Sequence, residues 1–95
     1  MSKMEIGTIA CWVVGMPGPD IDICIITGVS DEKYDVLFQV YGQGDFHKST
    51  QTIRNGRIWP ASESDRRFYD NLINSAIEKR DSLGLPKIPL KVKND

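Results

Sequence analysis

Tyr34-Asp35-Val36-Leu37-Phe38-Gln39-Val40-Tyr41 is the stretch on which the fold turns. Tyr34, Val36, Phe38 and Val40 fall on one side, and Asp35, Leu37, Gln39 and Tyr41 on the other. Period two sustained over eight residues is the pattern of a half-buried strand. Gly42-Gln43-Gly44-Asp45 ends it, and the polar turn Ser30-Asp31-Glu32-Lys33 precedes it. Before that turn, Ile21 to Val29 carries Ile21, Ile23 and Ile25 on one face and Cys24 and Ile26 on the other. A run that is apolar on both faces predicts a central strand covered on two sides.

Further out, Ile6 to Val14 is β-branched and aromatic, and it stops at Gly15-Met16-Pro17-Gly18-Pro19-Asp20, where prolines and glycines exclude regular structure. His47 to Arg54 is polar but β-branched in places and reads as an exposed strand. Asn55-Gly56 supplies the two positive-φ residues of a type I′ hairpin turn, so Arg57 to Trp59 is expected to pair back on the fourth strand, with Pro60 ending it.

The character then changes to helical. Ser62 or Ser64 suits an N-cap, with Glu63 and Asp65 at the positive end. Phe68, Leu72, Ile73, Ala76 and Ile77 share one face. Lys79 and Arg80 suit the negative end, and Gly84 the terminus, which predicts one helix over 63–83. The tail 85–95 alternates Ile88, Leu90 and Val92 against Lys87, Lys91 and Lys93. It reads either as an edge strand guarded by lysines or as a segment ordered by a partner.

These elements predict an α+β fold: a small bent antiparallel barrel of about five strands over 5–60, one amphipathic helix, and a tail, within a single domain 1–95. The segment Tyr34–Gln43 resembles the Tudor pattern, in which an alternating strand ends in Tyr-Gly-Asn. Gly7-x-x-x-Cys11-Trp12 and Ile21–Ile26 stand where a Tudor or other SH3-like barrel places its first two strands. The resemblance covers about residues 5–60 and implies SH3-like architecture. It also implies an aromatic cage for a methylated cation, with Phe38 or Tyr41 as candidates beside Trp12 or Tyr34. Three departures leave that cage incomplete: the loop between the first two expected strands has Met16 but no aromatic, the second strand has none, and Val40 stands where an acidic residue is expected.

Ninety-five residues with 40% hydrophobic and 26% charged composition fit one globular domain and argue against disorder. No stretch approaches the ~18–20 apolar residues of a membrane span. Met1-Ser2-Lys3-Met4-Glu5 shows no signal-peptide pattern, so Cys11 and Cys24 read as buried free thiols and the cytoplasm, a host's included, as the expected compartment.

Catalytic chemistry finds little support. His47, the single histidine, has Asp45 nearby but no nucleophile motif, and reads as an exposed strand-end residue. Cys11 and Cys24 lack a thiolate-activating motif. Asp20-x-Asp22 and Asp31-Glu32-x-x-Asp35 lack the spacing of a calcium loop, and Gly42-x-Gly44 precedes no helix. Two cysteines and one histidine do not make a zinc tetrad. No enzyme and no cofactor are expected.

The net charge of −1 argues against broad gripping of phosphate backbones, yet it is unevenly divided. Residues 1–45 carry two basic against seven acidic residues, a balance of −5, and residues 46–95 carry ten against six, a balance of +4. Lys48, Arg54 and Arg57 gather around Asn55-Gly56, Arg66-Arg67 follow, and Trp59 lies between them. With Tyr41 adjacent, this composition suits an anchor for an acidic partner protein or a nucleotide platform. The plainer alternative makes Trp59 core beneath the helix and the arginines solvated. The expected function is non-enzymatic protein binding, as a small adaptor, regulator or inhibitor. RNA, DNA or small-nucleotide binding is the alternative, and self-association through strand edges is compatible with both.

Overall fold

The structure, a computed structural model, describes residues 3–14, 20–39 and 45–92, the side chain of Asn55 excepted. Five strands form one antiparallel sheet: β1 (Ile9–Val14), β2 (Asp20–Val29), β3 (Lys33–Gln39), β4 (Phe46–Thr52) and β5 (Ile58–Pro60). Two helices follow, α1 (Glu63–Arg66) and α2 (Asp70–Ser82), and a 3₁₀ turn spans Ile53–Asn55. The strand order is β4-β3-β2-β1-β5. The α+β character agrees with the sequence reading. β4 and β5 are the two edges of the sheet, and among the described residues no backbone ladder joins them.

The doubly apolar β2 occupies the middle, as its pattern predicts. Its Ile23 and Ile25, with Ile9 and Cys11 of β1, face α2 and pack on Ile73, Ala76, Ala61 and Leu90. Its Cys24 and Ile26 face the opposite way, with Ala10, Trp12, Tyr34, Val36 and Ile58. Each fully buried isoleucine contributes about 1.5–3 kcal/mol by leaving water.

Among the described residues no α-helix lies over the second core. The sheet covers it by curling. The Trp12 Nε1–H donates to Gln51 Oε1 at 2.6 Å, although β1 and β4 are separated by two strands. Three ladder spacings would set those strands about 14 Å apart in a flat sheet. A register shift between Ile26 and Gly28 marks a bulge in β2, which bends a strand and increases its twist.

Two expectations are corrected. β5 pairs with β1 at Cys11↔Trp59 rather than with β4. Asn55 lies inside the 3₁₀ turn, and Gly56 alone takes the left-handed conformation at φ 70°. A type I′ turn needs both residues there. Ile53 is drawn into the second core and its N–H donates to the Glu32 carbonyl at 2.9 Å. The chain is thereby carried across to the far edge.

The single helix over 63–83 is instead α1 and α2, broken at 67–69. Ser62 caps α1 in a reciprocal capping box with Asp65, and Asp65 Oδ2 also accepts from the Cys11 thiol at 3.6 Å. Those contacts fix the start of α1 against β1. After the break, α2 lays Ile73 and Ala76 on the sheet. Phe68, expected on the buried face, falls in the break and is 80% exposed. α2 ends as anticipated at Gly84, φ 72°. There the N–H of Leu85 returns to the Arg80 carbonyl at 3.3 Å and that of Gly84 to the Asp81 carbonyl at 3.1 Å, a Schellman arrangement.

Arg80 is buried rather than a solvated cation at the helix end. Its Nη1 donates to the carbonyls of Gly7 at 3.1 Å and Ile88 at 2.8 Å, and its Nε donates to Asp81 Oδ1 at 3.1 Å. The tail folds back through Val92: Leu90 enters the first core, and the Lys91 N–H donates to the Ala61 carbonyl at 2.9 Å. Its pairing is a lone parallel bridge, Ser62↔Lys91, rather than an edge strand. Among the described residues no helix is long and apolar enough to cross a membrane.

Candidate docking groove

A groove of about 690 Å³ lies beside β5. The 3₁₀ turn and β5 form one wall through Ile53, Arg54, Ile58, Trp59 and Pro60. The N-terminal segment contributes Lys3, Met4, Glu5 and Thr8, and the tail contributes Ile88, Pro89 and Lys91. Tyr34 and Asp31 also line it.

Specific bonds hold these separate segments in place. The Met4 N–H donates to the buried Tyr34 hydroxyl at 2.8 Å, and the Gly7 N–H to the Ile26 carbonyl at 2.8 Å. The Thr8 hydroxyl donates to the Glu5 carbonyl at 2.7 Å. Lys3 donates to the Ser30 carbonyl at 3.1 Å and lies 3.8 Å from Asp31 Oδ1. The Arg80 guanidinium ties the N-terminal wall at Gly7 to the tail wall at Ile88. Gly7 sits at φ 97°, and a Cβ there would lie 2.0 Å from the Pro86 carbonyl oxygen, so only glycine allows the two walls to meet.

Trp59 is 38% exposed and borders the groove, which overturns the reading of it as core beneath the helix. Arg54 and Lys91 are exposed and have no side-chain partner among the described residues. Among the described residues the groove therefore combines apolar walls with two cations and one carboxylate, Glu5, that have no side-chain partner.

The remaining expected binding residues are not brought to this groove. Arg57 is exposed and precedes β5, where its carbonyl accepts from the Val13 N–H at 2.8 Å. Lys48 lies on β4, at the other edge of the sheet, in a shallow depression with Thr27 and Asp35. Arg66 donates to Asn74 Oδ1 at 2.6 Å and lies 3.8 Å from Asp70 Oδ1. Arg67 is exposed and shares a depression with Glu63 and Asp70. Tyr41 lies outside the described residues. The sequence reading missed Met4, the Tyr34 anchor and the tail wall. The Pro86 and Pro89 breaks within the alternating tail were the available signal for that wall.

The other chemistry-bearing side chains are occupied structurally. Trp12 and Tyr34, named for a cage, are buried in the second core, and Phe38 meets the Trp12 ring edge-on at 5.1 Å. His47 is exposed, its ring 5.7 Å from Phe38. Burial, and then the neighbouring Asp65 carboxylate, push the Cys11 thiol up to about 12. Burial likewise raises Cys24, so both remain protonated thiols at neutral pH. Burial, with Asp20 second, raises Asp22 above the usual carboxylate value. No three metal-ligating side chains cluster among the described residues. Comparison with family models, curated proteins and solved structures finds no match to this chain.

Proposed function

We propose that the chain is a non-enzymatic docking protein, an adaptor, regulator or inhibitor, built on an SH3-like barrel and binding a partner protein through the groove beside β5. Support for the barrel comes from the strand order β4-β3-β2-β1-β5, the 3₁₀ turn between β4 and β5, and the Trp12–Gln51 hydrogen bond across the curl. The observation that carries the docking reading is the exposure of Trp59 at the rim of an apolar groove flanked by Arg54 and Lys91. Tryptophan and arginine beside apolar walls are the residue types that dominate binding energy at protein interfaces.

The test is capture from native cell extract by the wild-type chain, Trp59→Ala and Arg54→Glu, each with a nuclease-treated parallel. A partner protein retained after nuclease and lost with both variants supports the reading. Capture that disappears with nuclease favours the nucleic-acid alternative. Equal capture by all three chains overturns the groove as the surface.

A further inference from the structure

The backbone of β5 says how a partner would enter the groove. The Val13 N–H donates to the Arg57 carbonyl at 2.8 Å, and the Ala61 N–H donates to the Ile9 carbonyl at 2.9 Å. With Cys11↔Trp59 in register between them, the Arg57 carbonyl, the Trp59 backbone groups and the Ala61 N–H all face β1, while the Ala61 carbonyl accepts from the Lys91 N–H of the tail. The alternate residues, Ile58 and Pro60, turn theirs to the outer side. β5 is an edge of the sheet, and among the described residues the pairing nearest its outer side is the lone Ser62↔Lys91 bridge just past its end. Ile58 and Pro60 both border the groove.

Resting on the docking reading above, we infer that the occupant is an extended acidic peptide segment of a partner protein, added as a strand along the outer edge of β5. Ile58 supplies one donor and one acceptor. Pro60 supplies an acceptor only, because it has no N–H. This short edge cannot support long strand pairing, so the bonds at Ile58 fix the register and side-chain contacts must add the rest. Those contacts are the Trp59 rim and the apolar side chains of Ile53, Ile88 and Pro89. Charge selects the sign of the guest. Lys3 has Asp31 as a carboxylate neighbour at 3.8 Å, whereas Arg54 and Lys91 have no side-chain partner among the described residues and outnumber Glu5. A guest carboxylate beside Arg54 or Lys91 completes the charge balance of the groove.

The experiment is selection of a random displayed-peptide library on the full chain, followed by hydrogen exchange at assigned amides with the selected peptides bound. The expected result is enrichment of acidic sequences, with at least tenfold slower exchange at the Ile58 amide on binding. N-methylation of the guest residue facing Ile58 should weaken binding at least tenfold, about 1.4 kcal/mol. Selected peptides that shift Trp59 but leave Ile58 unprotected overturn strand addition and leave the groove standing. Peptides that bind elsewhere, or no enrichment of acidic sequences, overturn the inference. So does Ile58 protection arising from self-association with no peptide present. Binding confined to a surface away from the groove overturns the docking reading as well.

Discussion

The Arg80 guanidinium donates to the Gly7 carbonyl at 3.1 Å across 73 positions of sequence, and the same nitrogen holds Ile88. A single buried cation thus joins the segment entering β1 to the tail that leaves α2, and these are two walls of the groove. Arg80→Met keeps the aliphatic volume but leaves two carbonyls without their charged donor. The expected cost is about 3 kcal/mol in a urea unfolding curve, a large share of the ~5–14 kcal/mol expected for a chain of this length. Amide exchange should accelerate selectively in the N-terminal segment and the tail.

Gly7→Ala tests the closeness of those walls. The residue sits at φ 97°, and an added Cβ would meet the Pro86 carbonyl at 2.0 Å. Backbone strain and displacement of the tail together predict a loss of about 3 kcal/mol by chemical denaturation. Gly56→Ala provides the contrast. It carries similar strain at φ 70° but meets nothing within 4 Å, so its loss should be nearer 1 kcal/mol.

The curl of the sheet predicts a distinct consequence at Gln51. Gln51→Leu removes the acceptor of the buried Trp12 indole N–H. Stability should fall by about 1–2 kcal/mol, and the Trp12 indole proton resonance should move upfield while that of Trp59 stays in place.

Asp22 supplies the pH dependence. It is buried on β2, and burial followed by the nearby Asp20 raises its folded value above the ordinary 3.8. A raised value means that the folded state disfavours the carboxylate. The stability is therefore complete below the unfolded value and is lost as pH rises through the folded one. Asp22→Asn should raise the Tm at pH 7. The gain over wild type should fade as pH falls through the unfolded value and be gone by about pH 3, where both chains carry a neutral group at this position in both states.

The middle of the sheet was legible because its signals are local. The two-sided apolar run in β2 and the alternation in β3 state directly which faces are covered. The helix stop at Gly84 was equally local. The partner of β5 was not, because Asn55-Gly56 favours a hairpin while the burial of Ile53 and Ile58 sends the chain to the opposite edge. Phe68 fits the apolar stripe at helical spacing, but the helix is broken at 67–69, and no local signal in the sequence marks that break. Arg80 carries no mark in the sequence distinguishing a buried clasp from a solvated helix end. For the site, Arg54 and Trp59 were named and meet at one groove. Lys48, Arg66 and Arg67 are dispersed by the topology, since neighbours in sequence lie on opposite edges or on a helix face.

The central claim is that partners dock beside β5 on Trp59. Its most direct measurement is the affinity of a library-selected peptide for the wild-type chain and for Trp59→Ala, read by calorimetry, with equal thermal stability of the two chains verified. Loss of a central tryptophan anchor predicts at least about 30-fold weaker binding, roughly 2 kcal/mol. Affinity unchanged within about twofold would contradict the account.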